Sequence, residues 1–354
     1  MLPDSSASAS AALRVLALGP NPALQRVLSF PSPLALGAVN RASSVSEYVG
    51  GKGQGVALAV ARWAPGCAAA AQFVGGDTGQ FVDARLRAQG VDTISQPTAA
   101  PTRVCTTLID AGVTTELIDP SGPVDEAEVA GLLHALGGRL GEFGAVALCG
   151  TTPPGGGSLY ARLARRLGDA SPAETGRPGP EPILLLDGYK EVGEVLCSGR
   201  VDVLKVNVEE ALALTGTTSP HAAADKLLRV QGAPLSRRGA LLALTNGPDP
   251  ALLFSREGSW QLQVPALACV NAIGAGDVCT GIFLHHLAAA ADDDADGRVA
   301  PAAALDAFAW GLAAACARCT REQPDFARAE VEAFRAQVEC SEWMELGEAH
   351  VEYM

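Results

Sequence analysis

The chain has 354 residues, of which 48% are hydrophobic and 18% are charged, and its formal net charge is −13. This much apolar material can build a large core, which excludes a disordered chain, and so acidic a protein repels a nucleic-acid backbone. No apolar run approaches the about 20 residues that cross a bilayer, and nine scattered cysteines without a framework pattern indicate reduced thiols in the cytoplasm.

The N-terminal residues 1–12 are rich in Ser and Ala and lack the basic and apolar regions of a secretory signal, so we expect a short flexible leader. Short apolar runs that end at turn residues then predict buried strands at 13–19, 145–150, 183–187, 201–207 and 240–247. Segments with helical spacing alternate with them, at 53–63, 81–89, 126–140, 159–167, 209–215, 222–231 and 302–321. This alternation predicts a parallel sheet covered by helices on both faces.

Three stretches interrupt the alternation, at about 24–30, 39–49 and 102–119. Each mixes polar and apolar residues near turn signals, which is typical of a small antiparallel sheet with one solvated face. A small β element inserted into an α/β domain often closes over a site, so we expect these strands to form a lid.

The segment most informative about chemistry is 270–278, VNAIGAGDV, which precedes an apolar helix. Gly274, Ala275 and Gly276 let the backbone approach a ligand closely, and the start of a helix attracts anions. Asp277 in the first turn could take a proton from an attacking hydroxyl while the amides stabilise charge on a transferred phosphoryl group. The same residues also fit an ordinary glycine-rich turn in which Asp277 caps the helix.

Two further segments place polar residues at a helix start. The first, GGKGQGV at 50–56, is neither a P-loop nor a dinucleotide fingerprint, but glycines beside Lys52 suit a phosphate or a polyhydroxy ligand, or simple packing. The second, KVNVEE at 205–210, ends a buried strand at the edge where parallel sheets bind ligands. Asn207 and Glu210 could orient a phosphate or hydrated Mg²⁺, or they could form a helix-capping pair.

Six short motifs occur in a fixed order: NPAL at 21–24, GGKG at 50–53, TEL at 115–117 with GP at 122–123, CGTTPPG at 149–155, NVEE at 207–210 and GAGD at 274–277. Together they resemble the PfkB carbohydrate kinases of the ribokinase-like superfamily, nearest the 1-phosphofructokinase and tagatose-6-phosphate kinase branch. The resemblance implies an α/β three-layer sandwich, with a mostly parallel central sheet flanked by helices and a small β-sheet lid. It implies a single kinase domain over residues 13–340.

The resemblance also implies a reaction, the transfer of a phosphoryl group from ATP, with Mg²⁺, to a hydroxyl of a sugar or sugar phosphate. By similarity, Asp277 is the base and the amides of Gly274, Ala275 and Gly276 form the anion hole. The implied substrate-binding residues are Asn21, Gln25, Gly51, Lys52, Gly55 and Arg103, with Arg103 holding the phosphate of a phosphorylated sugar. The implied nucleotide-binding residues are Lys205, Asn207, Glu210, Thr245, Asn246 and Gly247, with Glu210 reaching Mg²⁺ through water. Lids of this family often pair between subunits, so the resemblance also implies a possible homodimer.

Three positions depart from the family pattern where polar residues usually contact the sugar. Gln25 stands in place of Asp, and Gly55 and Cys105 each stand in place of Asn. A sugar hydroxyl left without its partner costs about 1–3 kcal/mol, so these changes indicate an altered acceptor. They also motivate an alternative, a nucleotide- or metabolite-binding protein of the same fold without kinase activity. A Rossmann dehydrogenase would need G-x-G-x-x-G after the first strand, which this sequence lacks.

Overall fold

The computed structural model describes residues 14–110, 113–169, 181–237, 239–292 and 299–343. The predicted leader at 1–12 lies outside them. The strands are β1 Val15–Leu18, β2 Ala23–Phe30, β3 Ser44–Gly50, β4 Ala68–Val74, β5 Asp92–Pro97, β6 Arg103–Asp110, β7 Val113–Ile118, β8 Ala145–Cys149, β9 Ile183–Asp187, β10 Val203–Asn207, β11 Leu241–Thr245, β12 Ala251–Phe254, β13 Ser259–Gln263 and β14 Glu339–Glu342.

Ten of these strands form the large sheet, in the order β14-β13-β12-β11-β10-β9-β8-β1-β4-β5. The seven strands from β11 to β5 run parallel, and β12, β13 and β14 extend one edge as antiparallel neighbours. The five buried strands predicted from the sequence all lie in the parallel part. Continuous apolar runs such as ILLLD at 183–187 suit a strand that is covered on both faces.

The helices are α1 Lys52–Trp63, α2 Gly76–Ala88, α3 Glu126–Gly137, α4 Leu159–Asp169, α5 Gly193–Cys197, α6 Val208–Thr215, α7 Pro220–Ala224, α8 Ala275–Asp292, α9 Pro301–Cys319 and α10 Arg328–Arg335. They cover both faces of the large sheet, which confirms the predicted layers. Alternate residues of each strand point into two separate cores: Val15 and Ala17 pack with α1, α8 and α9, whereas Leu16 and Leu18 pack with α3 and α4.

Helix α9 is long and apolar enough to cross a membrane by length and composition, although the sequence shows no uninterrupted apolar run of that length. In the structure 61% of its most apolar window is buried inside the protein. It packs along α8, where Phe308 contacts Phe283 with ring centroids 5.0 Å apart. Packing in the core therefore accounts for the apolar side chains of α9.

A second, four-stranded sheet has the order β3-β2-β6-β7 and contains the three stretches predicted as a lid. Strand β3, which was predicted at about 39–49, begins at Ser44, so residues 39–43 are not part of it. The prediction that this sheet is antiparallel is wrong for its central pair, because β2 runs parallel to β6. The chain between these two strands crosses the large sheet through α1, β4, α2 and β5 before it returns, which allows a parallel pair.

The carboxyl ends of the parallel strands meet at one edge of the large sheet, where open α/β sheets bind their ligands. Helix α1 begins at this edge and lies close to the end of β1. A Cβ atom added to Gly53 would lie 2.4 Å from the Cα atom of Gly19, so both positions need glycine for this close approach. The start of α1 is thereby fixed next to the strand ends.

Candidate active site

The GAGD segment forms a turn followed by the first residues of α8. Gly274 has a φ of 79°, in the left-handed region that favours glycine. The amide of Ala275 donates to the carbonyl oxygen of Ala272 at 3.1 Å, so it is engaged within the turn. The first amides of a helix have no partner inside the helix, and those of Gly276 and Asp277 have no acceptor among the described residues. Two first-turn donors are therefore available for an anion.

Asp277 is half-buried, and its side chain contacts α1 at Gly55. A Cβ atom added to Gly55 would lie 2.7 Å from Oδ2 and 2.9 Å from Cβ of Asp277. The pKa of Asp277 is raised to about 7: burial is the largest cause, the negative charge of Asp187 also raises the pKa, and Lys52 and Lys205 lower it. This carboxyl group can therefore exchange a proton near neutral pH.

A buried carboxylate at the end of β9, Asp187, connects three side chains of the site. Its Oδ1 accepts from Nζ of Lys52 at 3.0 Å, and its Oδ2 accepts from Oγ1 of Thr280 at 2.5 Å and lies 3.4 Å from Nζ of Lys205. Burial acts to raise the pKa of Asp187, but the two lysines outweigh it and hold that pKa below its usual value. Asp187 therefore stays ionised and holds both cations in place.

Asp187 is not among the site residues predicted from the sequence, although the sequence carries a signal for it. The predicted strand 183–187 ends on a carboxylate at the ligand-binding edge of a parallel sheet, the same position that made 205–210 a candidate.

The two lysines held by Asp187 differ in exposure. Lys205 is 3% exposed, whereas Lys52, at the first position of α1, is half-exposed. The pKa of Lys52 is raised although burial acts to lower it, because Asp187, Asp277 and Glu210 all act on it. Lys52 thus lies in the electrostatic field of the whole candidate site.

Lys205 connects this cluster to the GAGD turn. A Cβ atom added to Gly276 would lie 3.8 Å from Nζ of Lys205. Burial acts to lower the pKa of Lys205, but Asp187, Cys279 and Asp277 act against it and the pKa is raised. A permanent positive charge therefore lies beneath the turn that presents the two free amides.

Asn207 and Glu210 form a capping box at the start of α6. Oδ1 of Asn207 accepts from the amide of Glu210 at 2.7 Å, and Oε2 of Glu210 accepts from the amide of Asn207 at 3.0 Å. The capping alternative raised for these residues thus describes their present contacts. Asn207 is exposed and Glu210 half-buried at the same sheet edge, so each retains side-chain atoms for a ligand.

The segment 245–247 lies beside this capping box, because Thr245 of β11 is the register partner of Asn207 in β10. Thr245 and Asn246 are half-buried, and Gly247 is exposed with a φ of 59°. The carbonyl oxygen of Asn246 accepts from the amide of Asp249, which closes a tight turn after the strand. The structure thus brings all six predicted nucleotide-binding residues to one sheet edge.

The predicted sugar-binding residues lie at the start of α1 and along the small sheet. Gly51 is the N-cap residue of α1, directly after β3. Ala23 of β2 pairs with Gly50 on one side and with Arg103 on the other. Since neighbouring strands lie about 5 Å apart, the backbone of Arg103 is about 10 Å from the backbone of Gly50, the first residue of the GGKG segment.

Gln25 and Arg103 differ in how far their polar atoms are engaged. Nε2 of Gln25 donates to Oγ1 of Thr107 at 2.8 Å, so its amide is bound within the small sheet. Arg103 donates from Nη2 to the carbonyl oxygen of Asn21 at 3.4 Å, whereas its buried Nε has no partner among the described residues. Arg103 and Asn21 line a narrow crevice together with Thr98, Thr102 and Gly122.

No group of three or more His, Cys, Asp or Glu side chains among the described residues is arranged to hold a metal ion.

Comparisons with known proteins agree with this architecture. Residues 25–325 match the sequence profile of the pfkB family of carbohydrate kinases. Phosphofructokinase-2 from Escherichia coli is similar with a TM-score of 0.75 and 20% identity, over 92% of this chain and 98% of that one. A possible 1-phosphofructokinase from Thermotoga maritima gives 0.74 and 18%, over 94% and 100%. Ribokinase from the same organism gives 0.69 and 21%, over 91% and 98%.

At these identities the solved structures establish the fold, a ribokinase-like sandwich with a separate small sheet. The profile match extends over most of the chain and includes the start of α1, the end of β10 and the GAGD turn. The chain belongs to the pfkB family of carbohydrate kinases.

Proposed function

We propose that this protein transfers the γ-phosphoryl group of ATP to a hydroxyl of a sugar or sugar phosphate, with Asp277 as the base. The observation that carries the proposal is the position of Asp277 at the start of α8, next to free first-turn amides and with a pKa raised by burial to about 7. A general base is most effective when its pKa lies near the working pH. Carboxylate, amides and cations together match what phosphoryl transfer requires.

In the proposed reaction the acceptor hydroxyl gives its proton to Asp277 as its oxygen attacks the γ-phosphorus. The bond from that phosphorus to the β–γ bridging oxygen breaks, and ADP leaves with the electron pair. The amides of Gly276 and Asp277 would stabilise the charge on the transferring group, with Lys52 nearby as a cation. Because Lys52 is held by Asp187 at 3.0 Å, it needs little reorganisation to act.

The nucleotide would lie along the ends of β10 and β11. Asn207, Thr245 and Asn246 offer polar atoms there, and the permanent charge of Lys205 lies beneath the adjacent turn. Glu210 uses Oε2 for the amide of Asn207 and has a second carboxylate oxygen with which it could hold a water of hydrated Mg²⁺. These residues fit Mg²⁺ bound mainly through water and phosphate, and the ion would neutralise charge on the phosphate chain.

For the acceptor we favour a phosphorylated sugar. Arg103 has a buried Nε without a protein partner and lines the crevice beside Asn21, which suits an anionic group. A solved structure of Escherichia coli phosphofructokinase-2 contains fructose-6-phosphate, and it is similar to this chain with a TM-score of 0.73. The likeness supports a phosphosugar here as a class, without identifying the sugar.

Two observations favour a second candidate, a nucleotide- or metabolite-binding protein without kinase activity. The amide of Gln25 is engaged by Thr107, and Gly55 has no side chain to offer a sugar. A panel of fructose and tagatose phosphates and free sugars, assayed with Mg-ATP in a coupled ADP assay, separates the two candidates. Turnover on any of them at an ordinary enzymatic rate removes the binding-protein candidate. ATP binding with no turnover on the whole panel would contradict the kinase proposal.

We also propose that the small sheet forms a lid and a dimer contact. Strand β7 is exposed along its whole length and lies at an edge of the sheet, with Val113, Leu117 and Ile118 each more than half exposed. Exposed apolar residues on an edge strand, which has one unpaired side, favour pairing with another chain.

All nine cysteines are free thiols, which supports a reducing compartment such as the cytoplasm.

A further inference from the structure

Arg318 is the largest fully buried side chain of the described residues, and the reaction outlined above does not use it. It is the penultimate residue of α9 and is 1% exposed. Its Nη1 donates to the carbonyl oxygen of Arg321 at 2.8 Å and to that of Asn271 at 3.3 Å. A buried guanidinium group costs free energy unless it is well hydrogen-bonded, so a side chain of this kind needs an explanation.

The connection from β13 to the GAGD turn has little apolar anchorage. Among residues 265–273 none is fully buried, and Val270 and Ile273 are 55% and 43% exposed. A segment with few buried apolar contacts is held mainly by its hydrogen bonds. The geometry of the turn therefore depends on the polar contacts that this connection makes.

Among the described residues, the hydrogen bonds that join this connection to the rest of the protein are made with the C-terminal end of α9 and the residues just after it. The carbonyl oxygen of Cys319 accepts from the amides of Val270 at 2.8 Å and Asn271 at 3.2 Å. Nδ2 of Asn271 donates to the carbonyl oxygen of Glu322 at 2.9 Å. With the bond from Arg318, the backbone and side chain of Asn271 are both fixed to the helix end, where a positive charge is also favoured by the helix dipole.

Asn271 is also hydrogen-bonded to the residue that precedes the GAGD turn. Its Oδ1 accepts from the amide of Ile273 at 2.9 Å, and the next residue is Gly274. The amide of Ala275 then closes the turn on the carbonyl oxygen of Ala272. A continuous series of hydrogen bonds thus runs from the buried guanidinium to the residues that precede the free amides and Asp277.

We propose that Arg318 is a positioning residue that fixes the anion-binding turn through Asn271. The proposal rests on the proposed kinase function for its effect on rate. Arg318 has no proposed contact with the nucleotide or the acceptor, so its loss should misplace the amides of Gly276 and Asp277 without removing a substrate contact. A misplacement of about 1 Å at reacting groups lowers rates by about a hundredfold.

The test compares three variants with the wild-type protein, using Mg-ATP and the best acceptor of the panel. For Arg318→Ala we expect kcat to fall by about 10- to 100-fold and the KM for ATP to change by less than about threefold. Guanidinium ion at millimolar concentration should restore part of kcat by filling the vacated space. Asn271→Ala, at a partly exposed position, should lower kcat in the same sense. Arg321→Ala removes an arginine at the same helix end that pairs with Glu330, and it should leave kcat within about twofold.

Hydrogen exchange provides a readout that does not depend on activity. We expect the amides of 265–276 to exchange faster in Arg318→Ala while those of β8 and β9 are unchanged. Unchanged kcat in folded Arg318→Ala, or lost activity with faster exchange throughout and no recovery with guanidinium, overturns the proposal. If Arg318→Ala does not fold, Asn271→Ala decides by the same criteria. A wild-type protein without turnover would refute the kinase function alone, and local exchange would then decide the role of Arg318.

Discussion

Gly55 and Asp277 are in direct contact, and the side chain of Asp277 leaves no room for a Cβ atom on residue 55. That atom would be 2.7 Å from Oδ2 and 2.9 Å from Cβ of Asp277. Real Cβ atoms do not approach other heavy atoms so closely, so the conformation of Asp277 depends on the absence of a side chain at position 55. The departure from the family pattern at Gly55 is therefore tied to the proposed base as well as to the sugar.

We expect Gly55→Ala to displace the carboxylate of Asp277 from its present position. Because general-base catalysis depends on hydrogen-bond geometry, kcat should fall about tenfold or more, with little change in the affinity for ATP. Steady-state kinetics and ATP titration measure both quantities. Gly138→Ala is the matched control, since Gly138 has a φ of −73° and no atom lies within 4 Å of an added Cβ. Equal kcat in the two variants would show that the contact with Asp277 has no catalytic role.

The pH dependence of the rate should report the ionisation of Asp277. Burial raises the pKa of Asp277 to about 7, and a base acts only when deprotonated, so kcat/KM should fall as the pH drops below about 7. Lys52→Met should move this fall to higher pH, because Lys52 lowers the pKa of Asp277. The measurement is kcat/KM for the acceptor between pH 5.5 and 9 at saturating Mg-ATP. A profile that is flat across pH 7 is incompatible with this assignment.

Asp187→Asn should weaken the fold and shift the same profile in the opposite direction. Removal of the carboxylate leaves Lys205 buried without its partner, which costs about 3–5 kcal/mol in the free energy of unfolding. The negative charge of Asp187 raises the pKa of Asp277, so its removal should move the fall in kcat/KM to lower pH.

Urea unfolding and the pH profile test these two effects of Asp187→Asn separately. Glu332→Gln, which breaks an exposed ion pair with Arg328, is the control and should change the free energy of unfolding by less than about 1 kcal/mol. A loss of stability no larger than in this control would mean that Asp187 does not hold the lysines as described.

The proposed dimer contact predicts a change in oligomeric state. Leu117→Lys and Ile118→Lys together place two charges on β7 and should convert a dimer to a monomer in sedimentation experiments. Leu36→Lys changes a fully exposed leucine between β2 and β3, outside the strands, and should leave the dimer intact. A wild-type protein that sediments as a monomer rules out this contact.

Much of the large sheet could be predicted because its central strands are continuous apolar runs that end at turn residues. Strand β4, AAAAQFV, lacked such a signal, because alanine favours helices and only its burial between two helical layers makes it a strand. The parallel pairing of β2 with β6 could not be inferred either, because no local pattern records which distant strand becomes a neighbour.

For the site, the spacing of motifs predicted which segments meet but not how their atoms are engaged. The sequence favoured both a ligand and a capping interpretation of Asn207 and Glu210, and only the structure records the reciprocal capping bonds. It assigned the amide of Ala275 to the anion hole, whereas that amide bonds to Ala272 in this structure. Hydrogen bonds of this kind follow from the exact path of a turn, which composition and spacing leave open.

The most direct test of the proposed base is Asp277→Asn, which keeps the size of the side chain and removes its basicity. In a coupled ADP assay with the best acceptor we expect kcat to fall by about 10²- to 10⁴-fold, while ATP binding measured by calorimetry stays within about threefold of wild type. Turnover close to that of the wild-type protein would contradict the assignment of Asp277 as the base.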